Sequence, residues 1–278
     1  MKHLQLMMVA LFMLMGVSLT SCLNSESDPY SYNTAMVKVR VSAFYTYFET
    51  ADGIIIEPTQ ESISKLLSDK IDISELANKV ANIAYRWDPA VVDVPSDAET
   101  IKGVELYSIE SLDAPAEVIN IKGESKDSIA DTPIIELAYN PGGYEYKPFF
   151  FDETTLILPI HYYMEKTVHT LRLLYYKEET QENGILKLYL RHNKNEDAAS
   201  GTGLTSYEYA VGTGLLSLFY KAYDLRIIFS RYQEQTGMYE YPKKINIVYE
   251  ANPYSWDLDD AQTETKTYTV EYKPQTAE

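Results

Sequence analysis

The chain has 278 residues, and its 24 basic residues are set against 41 acidic ones for a formal charge of −17. A hydrophobic content of 45% supports a buried core and excludes global disorder, and the acidic balance excludes nucleic acid as a partner, because phosphates call for Lys and Arg. A single Cys excludes a disulfide framework and a multi-Cys zinc or iron–sulfur site, while 25 Tyr against 8 Phe and 2 Trp is the unusual count.

Residues 1–21 have the layout of a secretory signal peptide: Lys2 provides the positive start and residues 4–19 form an uncharged apolar stretch. They run into Leu19-Thr20-Ser21-Cys22, which resembles the lipobox of bacterial lipoproteins. That resemblance implies cleavage before Cys22 and acylation of its thiol, so the lipid bilayer is the first expected partner. Cleavage removes Lys2 and no acid, taking the net charge to −18. Anchoring then rests on acyl chains, at about 0.8 kcal/mol per buried CH₂, and not on attraction to anionic head groups. Residues 22–33 read as a lipidated tether, polar and interrupted by Pro29. Glu26 and Asp28 resemble the acidic surface-export signal of some Gram-negative lipoproteins, so an outer-membrane lipoprotein is expected, with the periplasmic and the cell-surface face both open.

The fold class read from the mature chain is mainly β: a small OB-like barrel with a helical insertion, followed by an antiparallel β-sandwich. The barrel is placed at 34–121. Residues 36–48 (MVKVRVSAFYTYF) alternate as one half-buried strand, with Val37, Val39 and Val41 on one side. Asp52-Gly53 turns the chain into a short return strand at 54–56. Residues 61–67 and 74–79 are helix-like, with Ser74 as N-cap, and fall in an insertion over 59–79. Residues 80–87 and 104–112 are further strands, separated by a loop at 88–100. Several short strands around one helical segment fit an oligonucleotide/oligosaccharide-binding barrel.

Residues 122–132 (KGESKDSIADT), charged and without aromatics, are read as the linker. From 133 to 273 strands are expected at 134–139, 144–150, 155–163, 168–176, 185–192, 206–211, 215–220, 225–232, 245–249 and 265–272. Turn signals such as Pro141-Gly142-Gly143 and Gly212-Thr213-Gly214 stand between them, and no sustained helical periodicity is read in this half.

This succession of lipobox, barrel, polar connector and sandwich resembles the NigD-like lipoproteins. The stretches that carry the resemblance are 36–48, 79–88, 104–113, 156–163 and above all 186–203 (LKLYLRHNKNEDAASGTG) with its Leu-Arg-His-Asn. The family supplies no catalytic residues, and its association with a bacteriocin operon implies an immunity or accessory role by neighbourhood alone.

Motifs for chemistry are sparse. The one thiol is reserved for lipid, and neither a Gly-x-Ser-x-Gly elbow nor a phosphate-binding loop is present. The mature histidines are His161, His169 and His192; His161 and His169, with Glu165 between them, could face zinc across a hairpin, but no third ligand is fixed by spacing. Asp257, Asp259, Asp260 and Glu264 form an acidic turn without the central Gly of a calcium loop. No metal, cofactor or catalytic residue is therefore expected.

The aromatic load remains. Tyr162/Tyr163, Tyr175/Tyr176, Tyr144/Tyr146, Tyr207/Tyr209 and Tyr239/Tyr241 place rings on neighbouring or shared faces, and at least one ring of each adjacent pair is expected at the surface. The resulting expectation is a non-enzymatic binding or accessory protein with a protein or glycan ligand. A glycan-acting enzyme using surface carboxylates and a bacteriocin immunity protein remain open beside it.

Overall fold

The computed structural model of the chain describes residues 29–272, apart from 43–44, 69–70, 96, 121–129, 166–167, 183 and 198–202. The signal peptide, Cys22, the tether up to residue 28 and most of the expected linker lie outside the described residues. The chain is mainly β and divides into two compact units, the first ending at Ser111 and the second beginning at Leu112.

In the first unit β1 (Ser31–Val41), β2 (Thr46–Thr50), β3 (Ile55–Pro58), β4 (Val80–Trp87) and β5 (Thr100–Ser111) close a barrel in the order β1-β2-β3-β5-β4. The length of β1 makes closure possible. Its first half pairs with β4, from Ser31↔Trp87 to Lys38↔Val80, and its second half pairs with β2, from Val37↔Thr50 to Val41↔Thr46. The tether therefore ends sooner than expected, since residues 31–33 already belong to β1. The single strand read over 36–48 is two strands, with the chain reversing at Ser42 and Tyr45, where the Ser42 N–H and hydroxyl both donate to the Tyr45 carbonyl at 3.0 Å.

Alternation places Val37, Val39, Phe48, Ile56, Ile83, Tyr85, Val104 and Leu106 inside the barrel. Val41, expected on the same side, lies at the strand end and is exposed. Parallel pairing of β3 with β5 shifts register at Pro58, which lies opposite Val104 while Glu57 lies opposite Lys102. Gly103, at φ +75°, takes up the extra residue of this bulge, a conformation that glycine adopts without a side-chain clash. Between β3 and β4, helix α1 (Gln60–Ser68) buries Leu66 in the barrel core. The following segment is a 3₁₀ turn over Ile73–Leu76, capped by Asp72 rather than Ser74. The Asp72 carboxylate accepts from the Ser74 N–H at 2.9 Å and from its hydroxyl at 2.6 Å.

The second unit holds two sheets. β6 (Ala116–Ile119), β9 (Thr170–Tyr176), β10 (Ile185–Asn193), β12 (Lys244–Ala251) and β13 (Glu264–Glu271) form a five-stranded sheet ordered β13-β12-β10-β9-β6. β7 (Phe149–Phe150), β8 (Thr155–Pro159) and β11 (Tyr220–Asp224) form a three-stranded sheet ordered β11-β8-β7. Leu171, Leu173, Leu186, Leu188, Ile245 and Ile247 from the first meet Leu156, Leu158 and Tyr223 from the second in one core.

The larger sheet is mixed, because β6 runs parallel to β9 and β10 parallel to β12. Pairing with β9 also draws residues 116–119 into the second unit, ahead of the linker expected at 122–132. Residues 134–139 and 144–150 supply isolated bridges and the short β7 in place of full strands.

Two segments expected as strands are helices: α2 (Ser206–Thr213) and α3 (Arg226–Thr236). A capping box starts α2, with the Thr205 hydroxyl accepting from the Glu208 N–H at 3.3 Å and the Glu208 carboxylate accepting from the Thr205 N–H at 2.7 Å. α3 is held by Leu225, Ile228, Phe229 and Tyr232, all buried at the i, i+3, i+4, i+7 spacing of one helical face.

Truncating that face separates the helix from the strand reading. Ile228→Ala should cost about 2–5 kcal/mol, whereas Ile227→Ala, at a side chain 68% exposed, should stay within about 0.5 kcal/mol. Urea unfolding of both variants is the measurement, and equal costs would contradict the helical packing.

Candidate functional site

The tyrosine pairs singled out in the sequence fall in unlike places. Tyr162 is fully buried, while Tyr163 is half-buried, stacked on Trp256 with ring centroids 5.9 Å apart, and donates its hydroxyl to the Pro253 carbonyl at 2.8 Å. Tyr175 and Tyr176 are both buried, against the expectation of a surface ring in each adjacent pair. The sheet is covered on both sides: Tyr175 enters the main core, and Tyr176 packs with Leu174, Tyr189 and Val248 on the opposite face. Tyr239 is exposed, and Tyr144 and Tyr241 are partly so.

The histidines do not form the zinc site considered for them. His169 lies on His192, with Nδ1 2.7 Å from the His192 Nε2, and its Nε2 is 3.0 Å from Asp197 Oδ2. His161 is instead packed under Tyr139, ring centroids 4.0 Å apart. No group of three or more His, Cys, Asp or Glu suited to a metal occurs among the described residues. The acidic turn is held by its own backbone, with Asp257 accepting from the Asp259 N–H at 2.9 Å and Asp260 from the Gln262 N–H at 2.8 Å.

The barrel presents a candidate binding surface among the described residues. Where β1 passes into β2, Arg40, Val41, Ser42, Tyr45, Tyr47, Glu49 and Asn78 line an open cavity of about 380 Å³. Arg40 lies directly opposite Tyr47 in the ladder, and Tyr45 stacks on Tyr47 with centroids 5.7 Å apart and planes 27° apart. Tyr45 is 55% exposed, so the rings offer a flat apolar wall to solvent.

The polar side of the cavity is fixed by Arg40. Its Nε donates to Glu49 Oε2 at 2.8 Å and its Nη1 to Asn78 Oδ1 at 3.1 Å. Asn78 stands at φ 62°, where its N–H donates to the Val39 carbonyl at 2.8 Å, so the turn after the 3₁₀ segment carries it to the β1 edge. An ion pair this exposed adds less than about 1 kcal/mol to stability. Its effect is to hold a guanidinium, a carboxylate and an amide in one orientation beside the rings. Tyr45 and Tyr47 share a strand face by their i, i+2 spacing, the signal used for Tyr144 and Tyr146. Reading 36–48 as one unbroken strand concealed the turn that exposes them.

A second aromatic cluster lies in the other unit. Tyr139, Tyr146 and Tyr207 pack edge to face or tilted against one another, and Phe219 and Tyr220 join them. At its base His161 is 6% exposed, with no hydrogen-bond partner on either ring nitrogen and Glu136 Oε1 3.7 Å from Nδ1. Burial pushes its pKa down to about 4, against a smaller upward pull from Glu208. Burial also raises the Glu136 carboxyl above its ordinary value. The Glu208 carboxylate is held down by the Thr205 backbone and hydroxyl it caps. With Glu208 engaged in the cap, the two carboxylates do not make a free acid–base pair.

No protein-family model and no curated protein matches the chain. Among solved structures it is similar to a candidate lipoprotein from Bacteroides fragilis, with 27% identity and a TM-score of 0.65 over 88% of this chain and 100% of that one. It is also similar to a protein of unknown function from Bacteroides vulgatus, with 15% identity and a TM-score of 0.49 over 88% of this chain and 92% of that one. A NigD-like immunity protein from Bacteroides caccae matches with 12% identity and a TM-score of 0.47 over 90% of this chain and 100% of that one. The coverage of the Bacteroides fragilis protein exceeds either unit alone, so the likeness takes in both. The description of the Bacteroides fragilis protein as a candidate lipoprotein is in keeping with the lipoprotein reading of the sequence.

Burial of His161 sets a limit to acid stability. Its folded pKa of about 4 lies below the ordinary imidazole value of 6.5. The neutral ring is therefore favoured in the fold, and the contribution is complete above pH 6.5 and lost as pH falls toward 4. His161→Phe should remove about 3 kcal/mol of the stability lost between pH 7 and pH 4. Urea midpoints across that range are the check, and parallel pH profiles for the two proteins would contradict the assignment.

Proposed function

We propose that the chain is an envelope lipoprotein, held to the outer membrane by acylated Cys22, and that it acts by binding a glycan in the tyrosine cleft of its barrel. The single observation that carries the binding reading is the juxtaposition of the stacked Tyr45 and Tyr47 with the fixed Arg40, Glu49 and Asn78 around a cavity of about 380 Å³. That volume is at the small end of the range for ligand sites, roughly 300–1,000 Å³, and suits one or two sugar rings. A pyranose presents C–H groups on one face and hydroxyls at its edge. Aromatic faces take the first, while planar groups with paired donors and acceptors take the second. An uncharged ligand is also compatible with a net charge of −17, which repels phosphate-rich polymers.

The lipoprotein reading is supported by the lipobox-like residues before Cys22 and by the Bacteroides fragilis neighbour that carries that description. Export follows from the signal-peptide layout of residues 1–21, and Glu26 and Asp28 of the tether, which resemble a surface-export signal, leave the periplasmic and the cell-surface face both open.

Cys22→Ala should abolish incorporation of labelled palmitate in cells while leaving the protein exported; labelling that survives the substitution contradicts lipidation. For binding, the mature chain should select one class of oligosaccharide on a glycan array. Tyr45→Ala and Tyr47→Ala should each weaken that interaction at least tenfold with unchanged thermal unfolding. Absence of any glycan bound, or binding indifferent to both substitutions, would sink the assignment and favour a protein partner.

A further inference from the structure

His169 and His192 lie in the second unit, both almost fully buried, in a chain of polar contacts that runs from Asp197 to the Pro133 carbonyl. The two ends of the chain are fixed by groups that can only accept. Pro133 O is a carbonyl, so the His192 Nδ1 facing it at 3.1 Å must carry a proton. Asp197 Oδ2 already accepts the Glu165 N–H at 2.7 Å, so it is an acceptor, and the His169 Nε2 at 3.0 Å must carry a proton as well. A neutral imidazole has one N–H. If both rings were neutral, both inner nitrogens would be bare, and two lone pairs would meet 2.7 Å apart. A third proton on the inner pair turns that repulsion into an N–H···N hydrogen bond of ordinary length. A metal does not fit in its place, since two nitrogens bound tetrahedrally to one zinc stand roughly 3.3 Å apart.

We propose that His169 and His192 share one proton, so that the buried chain from Asp197 to Pro133 closes only when the pair of imidazoles carries a single positive charge. Asp197 is the counter-ion. The other charged groups acting on the pair are Asp131, which favours the charge, and Lys194 and Lys221, which oppose it. Taken ring by ring, burial outweighs the opposing Asp197 carboxylate and holds His169 below the ordinary imidazole value, and burial with the facing His169 holds His192 well below it. Against this, the 2.7 Å contact between the inner nitrogens requires a proton between them. Tyr162 packs on both rings and Trp256 lies edge-on to His169, so no water is needed to complete the chain. The shared proton ties three segments together: the Asp131–Pro133 stretch, the end of β10 with Asp197 beyond it, and the start of β9. The Asp131 N–H to His192 carbonyl bond at 3.1 Å and the Lys194 N–H to Asp131 Oδ1 bond at 2.8 Å fasten the same junction. Loss of the proton opens the chain at its centre, so the junction loosens as pH rises.

The pair then has a folded pKa above the ordinary imidazole value near 6.5. Its stabilisation is greatest near pH 6.5: above that the folding constant falls tenfold per pH unit toward the folded pKa, and below it the fold is again disfavoured, because the unfolded pair takes up two protons and the buried pair one. The experiment is histidine side-chain ¹⁵N NMR of the mature chain at pH 7.5, together with urea unfolding between pH 7 and pH 9. The expected result is three protons over the four ring nitrogens of His169 and His192, a coupling across the N–H···N bond, and the tenfold decline. Two bare nitrogens at pH 7.5, or a folding constant flat from pH 7 to pH 9, would overturn the proposal. His192→Gln should abolish the decline; a variant that folds and keeps it would equally overturn the proposal, and the wild-type measurements decide if the variant does not fold.

Discussion

Two neighbouring strands that run the same way cannot be joined by a hairpin, and β10 and β12 run the same way. The organisation of the second unit follows from that constraint. The chain must leave β10 at Asn193, cross the core and return at Lys244, and the crossing supplies α2, β11 and α3. The crossing segments carry Ala210, Tyr223, Ile228, Phe229 and Tyr232 into the same core that Leu186, Leu188 and Leu190 of β10 line from below. Glycines at φ 75° and 69°, Gly214 and Gly237, end the two helices and release the chain toward the next strand.

The same departure from β10 explains where the buried polar groups collect. His192 is the last fully buried residue of the strand and Asp197 comes just after it, so the side chains that close the junction with His169 belong to the residues where the crossing begins. A polar chain in such a position is satisfied internally or not at all, because the aromatic rings of Tyr162 and Trp256 surround it. Burial of this kind favours specificity over net stability: each group costs desolvation, and each missing partner would cost more.

The barrel solves a different problem. One long strand, β1, has to serve two partners, and the reversal into β2 leaves Tyr45 and Tyr47 on the outside while Phe48 enters the core. The cleft is therefore a by-product of closure: its aromatic wall is the outward face of β2, and its polar wall is Arg40 of β1 with the residue brought alongside by the turn after the 3₁₀ segment. Arg40 and Tyr47 face each other in the β1–β2 ladder and Arg40 is pinned by Glu49 and Asn78, which limits the ordering that a ligand would have to impose on them.

Much of this was legible in the residues. Alternation located β4, β9, β10, β12 and β13 closely, since a strand with one face or both faces in a core records its period in every second side chain. The helices were legible too, in Thr205 with Glu208 and in the Leu225, Ile228, Phe229, Tyr232 spacing, but aromatic and β-branched residues at those positions also satisfy a strand pattern. Periodicity over six to eight residues does not separate the two, and the choice was made by the crossover that parallel pairing imposes. The place of residues 116–119 in the second unit, the burial of both Tyr175 and Tyr176, and the meeting of His169 with His192 and Asp197 depend on which strands lie side by side. The residues of each segment determine its period and its caps; which segments become neighbours is decided by the burial of whole faces, a property of the assembled chain and of no single stretch of it.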